Sequence, residues 1–293
     1  MSERTVAWPA PAKLNLMLHI TGRRADGYHE LQTVFQFLDL CDQLEFSTRD
    51  DGRIERVAGP VDISHDDDLV VRSARALQQA SATTKGTDIR LHKRIPAGAG
   101  LGGGSSDAAT TLHALNRLWH LEFDIDQLAE IGLGLGADVP VFVRGFAAFA
   151  EGIGERLQPL DIAEHCYLLI TPDVHVSTAE IFSDPDLTRD SPAIKICDLS
   201  TAVWDNVCVP VVTRHYPEVA RALKLLGDFA EARMSGTGAS VFARFSVRHE
   251  AERVLQQLQT NAEWSDRWQV FICQGRNQSP LFEFMRTYQQ PGL

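Results

Sequence analysis

Five glycines crowd one short stretch of this chain. Gly98, Gly100, Gly102, Gly103 and Gly104 fall within Pro96-Ala-Gly-Ala-Gly-Leu-Gly-Gly-Gly-Ser-Ser-Asp-Ala-Ala109. Glycine loses more backbone freedom on folding than any other residue, so this density has to serve a backbone purpose. It lets N–H groups curl towards an anion with no side chain in the way. Ser105, Ser106 and Asp107 are good helix starters, and the alanine-rich run with Leu112 and Leu115 predicts a helix from about Ser105 to Trp119. A helix N-terminus behind a glycine loop offers free N–H donors and the positive end of the helix dipole, which together suit phosphate. The serine hydroxyls could add ligands to phosphate or Mg²⁺. The plainer alternative is a flexible loop leading into a helix.

Neighbouring sequence separates this loop from better-known glycine motifs. A Walker loop needs Lys before Ser or Thr, and Gly104 stands there. Gly98, Gly100 and Gly103 satisfy GxGxxG, but so glycine-rich a stretch nearly forces that match. The strand ahead of it, Asp88-Ile-Arg-Leu-His-Lys-Arg94, is amphipathic where a dinucleotide fold needs a buried one, and Glu122 and Asp124 precede a helix where that fold needs an acid at a strand end. The HRD and DFG motifs of protein kinases are absent from the sequence.

The pattern along the rest of the chain predicts two units meeting near residue 160. Lys13–Ile20 alternates, with Leu14, Leu16, Leu18 and Ile20 on one face and Lys13, Asn15, Met17 and His19 on the other, which predicts a strand with one core face. Further strands are expected over 33–39, 43–48 and Thr87–Arg94. Helices are expected over 68–79, capped by Asp68, and from about Asp126 to Leu135. Val141–Val143 and Phe146–Ala150 read as short strands. In the second half, Tyr167–Thr171, Pro217–Gly227, the pair around Met234 and Val241–Phe245, Arg248–Leu258 and Trp268–Cys273 follow the order βαββαβ, a split ferredoxin-like arrangement.

Charge and cysteine usage narrow the function classes. With 28 Lys plus Arg against 39 Asp plus Glu, the net charge is −11. That disfavours sequence-independent contact with nucleic acid or an anionic membrane, while an anionic small ligand remains compatible with local amides and cations. Cys41, Cys166, Cys197, Cys208 and Cys273 are scattered, odd in number and without a CxxC pair, as expected of reduced packing cysteines in a cytoplasmic protein. The histidines form no HxxxH or HExxH pair, so no metal site is expected. The N-terminal stretch lacks the basic flank and apolar run of a signal peptide, and no uncharged apolar stretch reaches membrane-spanning length.

Three other features carry candidate chemistry. Met234-Ser-Gly-Thr-Gly-Ala-Ser240 is a second small-residue turn, which either closes a hairpin or folds over the same phosphates. Lys13 and Asn15 share the polar face of the first strand, roughly 6–7 Å apart by strand rise. Asp138, in Gly136-Ala-Asp-Val-Pro140, has the form of a turn or helix cap. Phosphoryl transfer to an alcohol needs positioning, charge neutralisation and a proton acceptor, roles that a lysine and a carboxylate can share. The spacing alone does not bring Lys13 and Asp138 together.

With these motifs in view, the chain resembles the GHMP kinase superfamily. Pro96–Ala109 resembles its phosphate-binding loop and Met234–Ser240 its third motif. Pro11-Ala-Lys-Leu-Asn-Leu-Met-Leu-His-Ile-Thr-Gly-Arg-Arg-Ala-Asp-Gly-Tyr-His-Glu-Leu31 resembles the N-terminal signature of the 4-diphosphocytidyl-2-C-methyl-D-erythritol kinase family. The likeness runs through Gly136–Val143 into the second half and is weakest over about 183–215. It implies an α+β, two-domain GHMP kinase fold, with a ribosomal-protein-S5-like ATP-binding domain over 1–160 and a ferredoxin-like βαββαβ substrate-side domain over 161–293.

The resemblance further implies that ATP, with Mg²⁺, phosphorylates the 2-hydroxyl of a cytidine diphosphate-linked methylerythritol in the non-mevalonate route to isopentenyl diphosphate. Lys13 and Asp138 would be the catalytic pair, with Asp138 as base. Pro96, Ala97, Gly98, Ala99, Gly100, Leu101, Gly102, Gly103, Gly104, Ser105 and Ser106 would hold ATP. Asn15 would touch the substrate, Tyr28 and His29 would read its cytosine by stacking and hydrogen bonding, and Phe182 would form the opposite stacking wall. Asp68 stands where the family often has an asparagine against adenine, and a carboxylate cannot donate; Lys93 is a further candidate for that pocket. A monomer or weak homodimer is implied, without nucleic-acid or membrane partners. Another GHMP kinase with a different alcohol, and a non-catalytic nucleotide-binding regulator on the same fold, are the alternatives.

Overall fold

The computed structural model describes residues 6–61 and 63–288. The first five residues of the N-terminal stretch read above for a leader lie outside them. β1 (Ala7–Arg23) and β2 (His29–Arg49) form a long antiparallel ribbon. The two strands expected over 33–39 and 43–48 are one. Leu40-Cys41-Asp42 contains no Gly, Pro or Asn, and Cys41 and Asp42 stay paired with Pro11 and Ala10 across the ribbon.

β1 also departs from its expected single core face. The ladder slips between Asn15 and Met17, so the alternation changes phase there. Lys13, Asn15 and Leu18 line one cleft, while Leu14, Leu16 and Met17 join an apolar cluster with Leu38, Phe149 and Tyr167. Both faces of the strand are buried.

β3 (Ile54–Ala58) runs parallel to β4 (Gly86–His92), with α1 (Leu69–Ser81) as the crossover. The Asp68 carboxylate accepts from Val70 N and caps α1 as expected. β4 pairs with the second half of β2. α2 (Gly103–Leu118) and α3 (Ile125–Leu133) follow, the latter started by a reciprocal Asp124–Gln127 capping box. Val141–Val143, expected as a strand, lies in α4 (Val139–Arg144). Pro140 sits in the first turn, and Gly145 ends the helix at φ 71°. A run this short carries no readable period, and the flanking Pro and Gly decide it. β5 (Ala148–Glu151) and β6 (Arg156–Pro159) close the first half as a hairpin.

The second half contains β7 (Cys166–Thr171), α5 (Thr178–Ser183), α6 (Val209–His215), α7 (Pro217–Gly227), β8 (Arg233–Met234), β9 (Val241–Phe245), α8 (Arg248–Gln259), β10 (Gln269–Arg276) and α9 (Pro280–Thr287). Its strands lie in the order β10-β7-β9-β8 with antiparallel neighbours, the expected βαββαβ arrangement. β10 also pairs with β2 at Phe37 and Leu38, which joins the two halves into one sheet. α9 then crosses back. Leu281 enters the first core with Val71, Leu112 and Phe142, and Phe284 and Tyr288 pack edge-on or tilted against Trp8, their ring centroids 5.1 and 5.0 Å from it.

No disulfide forms among the five cysteines. Cys41, Cys166, Cys208 and Cys273 are buried, and burial pushes the thiols of Cys41, Cys208 and Cys273 up to about 12. No helix among the described residues is long and apolar enough to cross a membrane.

Candidate active site

Between the halves lies a cleft of about 1290 Å³. Its floor is the glycine loop, which is packed rather than loose: Ile95, Ala99 and Leu101 are sunk in the apolar cluster between the halves. Gly98, Gly100 and Gly102 have φ of 62°, 74° and 72°, the left-handed region that side chains disfavour. Space demands glycine as well. A Cβ on Gly100 would stand 2.1 Å from the Ser235 carbonyl oxygen, and one on Gly98 would stand 2.3 Å from the His175 ring.

The second turn, between β8 and β9, is bonded onto this loop. Ser235 Oγ donates to Gly100 O at 2.8 Å, and Ser240 N donates to Ala99 O at 3.1 Å. Gly236, Thr237 and Gly238 line the same cleft as the loop. It is therefore more than a hairpin closure.

α2 begins two residues earlier than expected, at Gly103, with Gly102 before it and no side-chain cap. Its first N–H groups have no helical partner, and Gly103, Gly104 and Ser105 line the cleft. Ser106 is fully buried and its hydroxyl lacks a protein partner. Leu101 is likewise buried. Of the eleven residues expected to hold ATP, Pro96–Gly100 and Gly102–Ser105 face the cleft, and Leu101 and Ser106 support it from behind.

Lys13 and Asp138, 125 positions apart in sequence, meet at the head of this loop. Lys13 Nζ lies 3.3 Å from Asp138 Oδ2, donates to Gly100 O at 3.1 Å and bonds Asn15 Oδ1. The lysine side chain is 4% exposed and the aspartate side chain 36%. Asp138 occupies the cap position of α4 yet makes no capping bond, which leaves carboxylate capacity for a ligand. Asn15 is fixed in turn, its Nδ2 donating to Thr33 Oγ1 at 2.9 Å. Thr33, which lines the cleft, escaped the sequence reading because a threonine in a strand has no distinguishing signal.

At one end of the cleft, Asp68 is occupied twice, by the α1 cap and by Arg56 Nε at 2.8 Å. Its carboxylate thus serves the fold. Lys93 lines the cleft and bridges Asp42 and Asp107, the latter at 2.7 Å. Burial raises the Asp107 carboxyl to about 8 against the pull of Lys93.

At the other end, the His29 and Phe182 rings lie against each other, their centroids 5.1 Å apart and 32° from parallel. Phe182 lines the cleft, whereas His29 and Tyr28 stand just outside its lining and Tyr28 is 60% exposed. Three cytosine-reading residues were expected as a set, and two of them are in contact here. Burial, then the charges of Arg189 and Arg23, lower the His29 pKa. Arg189 itself was not anticipated. A cation among Asp184, Asp186 and Asp190 reads as part of a solvated surface.

Comparison with known proteins agrees with this geometry. The chain matches the family described as GHMP kinases N terminal domain over residues 68–146 and GHMP kinases C terminal over 195–263. It is 57% identical over 279 residues to the 4-diphosphocytidyl-2-C-methyl-D-erythritol kinase of Pseudomonas paraeruginosa, covering 95% of this chain and 97% of that one. It is 52% identical to the enzyme of the same name from Shewanella loihica, over 96% and 97% of the two chains. A crystal structure of 4-(cytidine 5'-diphospho)-2C-methyl-D-erythritol kinase superposes with a TM-score of 0.77 at 32% identity, covering 92% of this chain and all of that one. A mevalonate kinase shares the fold at TM-score 0.66 and 13% identity, over 94% of this chain and all of that one. The cleft, its glycine floor and the near full-length likeness lead to one assignment: the chain belongs to the 4-diphosphocytidyl-2-C-methyl-D-erythritol kinase family of GHMP kinases.

Proposed function

We propose that this chain transfers the terminal phosphoryl group of ATP to the 2-hydroxyl of 4-diphosphocytidyl-2-C-methyl-D-erythritol, giving the 2-phosphate and ADP. Family membership gives the reaction; the observation that supports its placement in the cleft is the Lys13–Asp138 contact beside Gly100. In this reading Asp138 takes the proton of the attacking hydroxyl, and the Lys13 ammonium keeps that carboxylate ionised and neutralises charge on the transferring group. Asn15, pinned by Thr33, orients the alcohol. The unpartnered N–H groups at the start of α2 and the loop before it receive the phosphates.

Among the described residues no group of three or more His, Cys, Asp or Glu could hold a metal. Asp138 and the Ser105 hydroxyl are the oxygen donors at this end that suit a Mg²⁺ carried largely by phosphate oxygens. That ion would neutralise phosphate charge.

His29 and Phe182 are the proposed pyrimidine contacts, with Tyr28 as a further stacking face. Residues 1–160 are proposed as the nucleotide unit and 161–293 as the substrate-side unit, a division supported by two apolar clusters each drawn mainly from one half and crossed by β1, β10 and α9. The acidic charge argues against nucleic-acid and anionic-membrane partners, the free cysteines support a cytoplasmic setting, and the family resemblance supports a monomer or weak homodimer. A coupled ADP-release assay with the cytidyl substrate tests the reaction. Turnover is expected with that alcohol, whereas turnover only with other alcohols, or nucleotide binding without turnover, overturns the proposal.

A further inference from the structure

Arg189 bonds both residues whose aromatic rings meet at the recognition end of the cleft. Its Nε donates to His29 Nε2 at 3.1 Å. Its Nη2 donates to the carbonyl oxygens of Phe182 at 3.0 Å and Asp184 at 2.7 Å, and its Nη1 to that of Leu187 at 3.0 Å. A guanidinium has donors only and never gives up its proton in a protein. The nitrogen it faces must therefore present a lone pair. In a neutral imidazole the proton then sits on the other nitrogen.

We propose that Arg189 locks His29 in the Nδ1–H tautomer and is thereby a positioning residue that sets pyrimidine specificity. This rests on the reading of the substrate as a cytidyl compound. His29 Nδ1 bonds no other described residue, which leaves its N–H for a ligand. Cytosine carries a lone pair at N3, and uracil carries an N–H there. A fixed Nδ1–H donor pairs with the first and opposes the second, leaving two donors face to face. A ring free to change tautomer would accept from uracil equally well, and the discrimination would vanish without loss of the histidine. The remaining Arg189 bonds hold the backbone of Phe182, so general binding and base choice both pass through this residue but are separable.

Two substitutions separate them. Arg189→Lys retains a donor-only cation of similar reach, while Arg189→Gln offers an amide that can donate or accept and so dictates no tautomer. The ratio of kcat/KM for the cytidyl substrate to that for its uridyl counterpart is expected to stay near wild type in R189K. In R189Q it is expected to fall about ten-fold or more, beyond any common change in KM. Imidazole ¹⁵N chemical shifts of His29 in the unliganded wild-type protein should report protonated Nδ1 and bare Nε2, and in R189Q a mixture. A wild-type ring protonated at Nε2, or an R189Q enzyme with undiminished preference for cytosine, overturns the proposal. Absence of wild-type turnover on the cytidyl substrate would instead overturn the assigned reaction, and the ¹⁵N shifts would still decide the tautomer.

Discussion

The two ends of the cleft are built on opposite plans. The phosphoryl-transfer end is mostly backbone: glycine N–H groups, a helix start, and carbonyls that hold Lys13 and Ser235, packed so closely that a methyl group at Gly100 would meet the Ser235 carbonyl. The recognition end is mostly side chain: an exposed tyrosine beside a half-buried histidine and a phenylalanine, the last two held by Arg189. The overall fold is shared with a mevalonate kinase only 13% identical, since backbone geometry tolerates sequence change. The second plan resides in a few residues, so it is where one kinase of this fold would differ from another.

Substitutions at the two ends should therefore fail in different ways. Asp138→Ala is expected to lower kcat by on the order of 10²–10⁴ while leaving ATP affinity intact. Single-turnover kinetics beside nucleotide titration checks this, and near-normal turnover would remove Asp138 from the chemistry. Gly100→Ala is expected to destabilise the protein by about 1–3 kcal/mol in urea denaturation, with activity lost alongside; an unchanged midpoint would mean that the phosphate end is looser than its packing implies. His29→Ala should raise KM for the cytidyl substrate by about ten-fold with kcat little altered, and an unchanged KM would break the contrast from the recognition side.

A further test, one of pH dependence, concerns Asp107. Its folded-state carboxyl value of about 8 lies above the ordinary 3.8 because of burial. The stability it contributes is thus fully present below about 3.8 and is lost as pH rises towards 8. Asp107→Asn should flatten the decline of urea midpoints across that window. Equal slopes in the two proteins would show that Lys93 compensates the buried charge completely.

The two ends also differed in how legibly they were written. The glycine loop, the Asp68 cap of α1, the second small-residue turn and the βαββαβ order were visible because each rests on residues whose backbone preferences are local. The α4 segment misled because Val-Phe-Val has the composition of a strand and too little length for a period; Pro140 and Gly145 were the better witnesses. The phase slip in β1 depends on a bulge against β2, a tertiary event with no local marker. Ser106, expected in the site because hydroxyls at a helix start usually serve, is buried with its hydroxyl unpartnered by protein, a burial set by tertiary packing that no local signal gives. Lys13 and Asp138 were each nameable, but their meeting needed the whole first core. Arg189 could not have been singled out, because its partners are backbone carbonyls and a histidine 160 positions away.

The return of α9 has a consequence for how the protein is made. Trp8 enters the chain near its beginning, while the rings that cover it, on Phe284 and Tyr288, are added near its end. A ribosome releasing this polypeptide in order cannot deliver a finished first half before α9 has been translated. Messages cut short before α9 would yield products with that tryptophan uncovered, and quality control in the cell would meet an apolar wound rather than a smaller working enzyme.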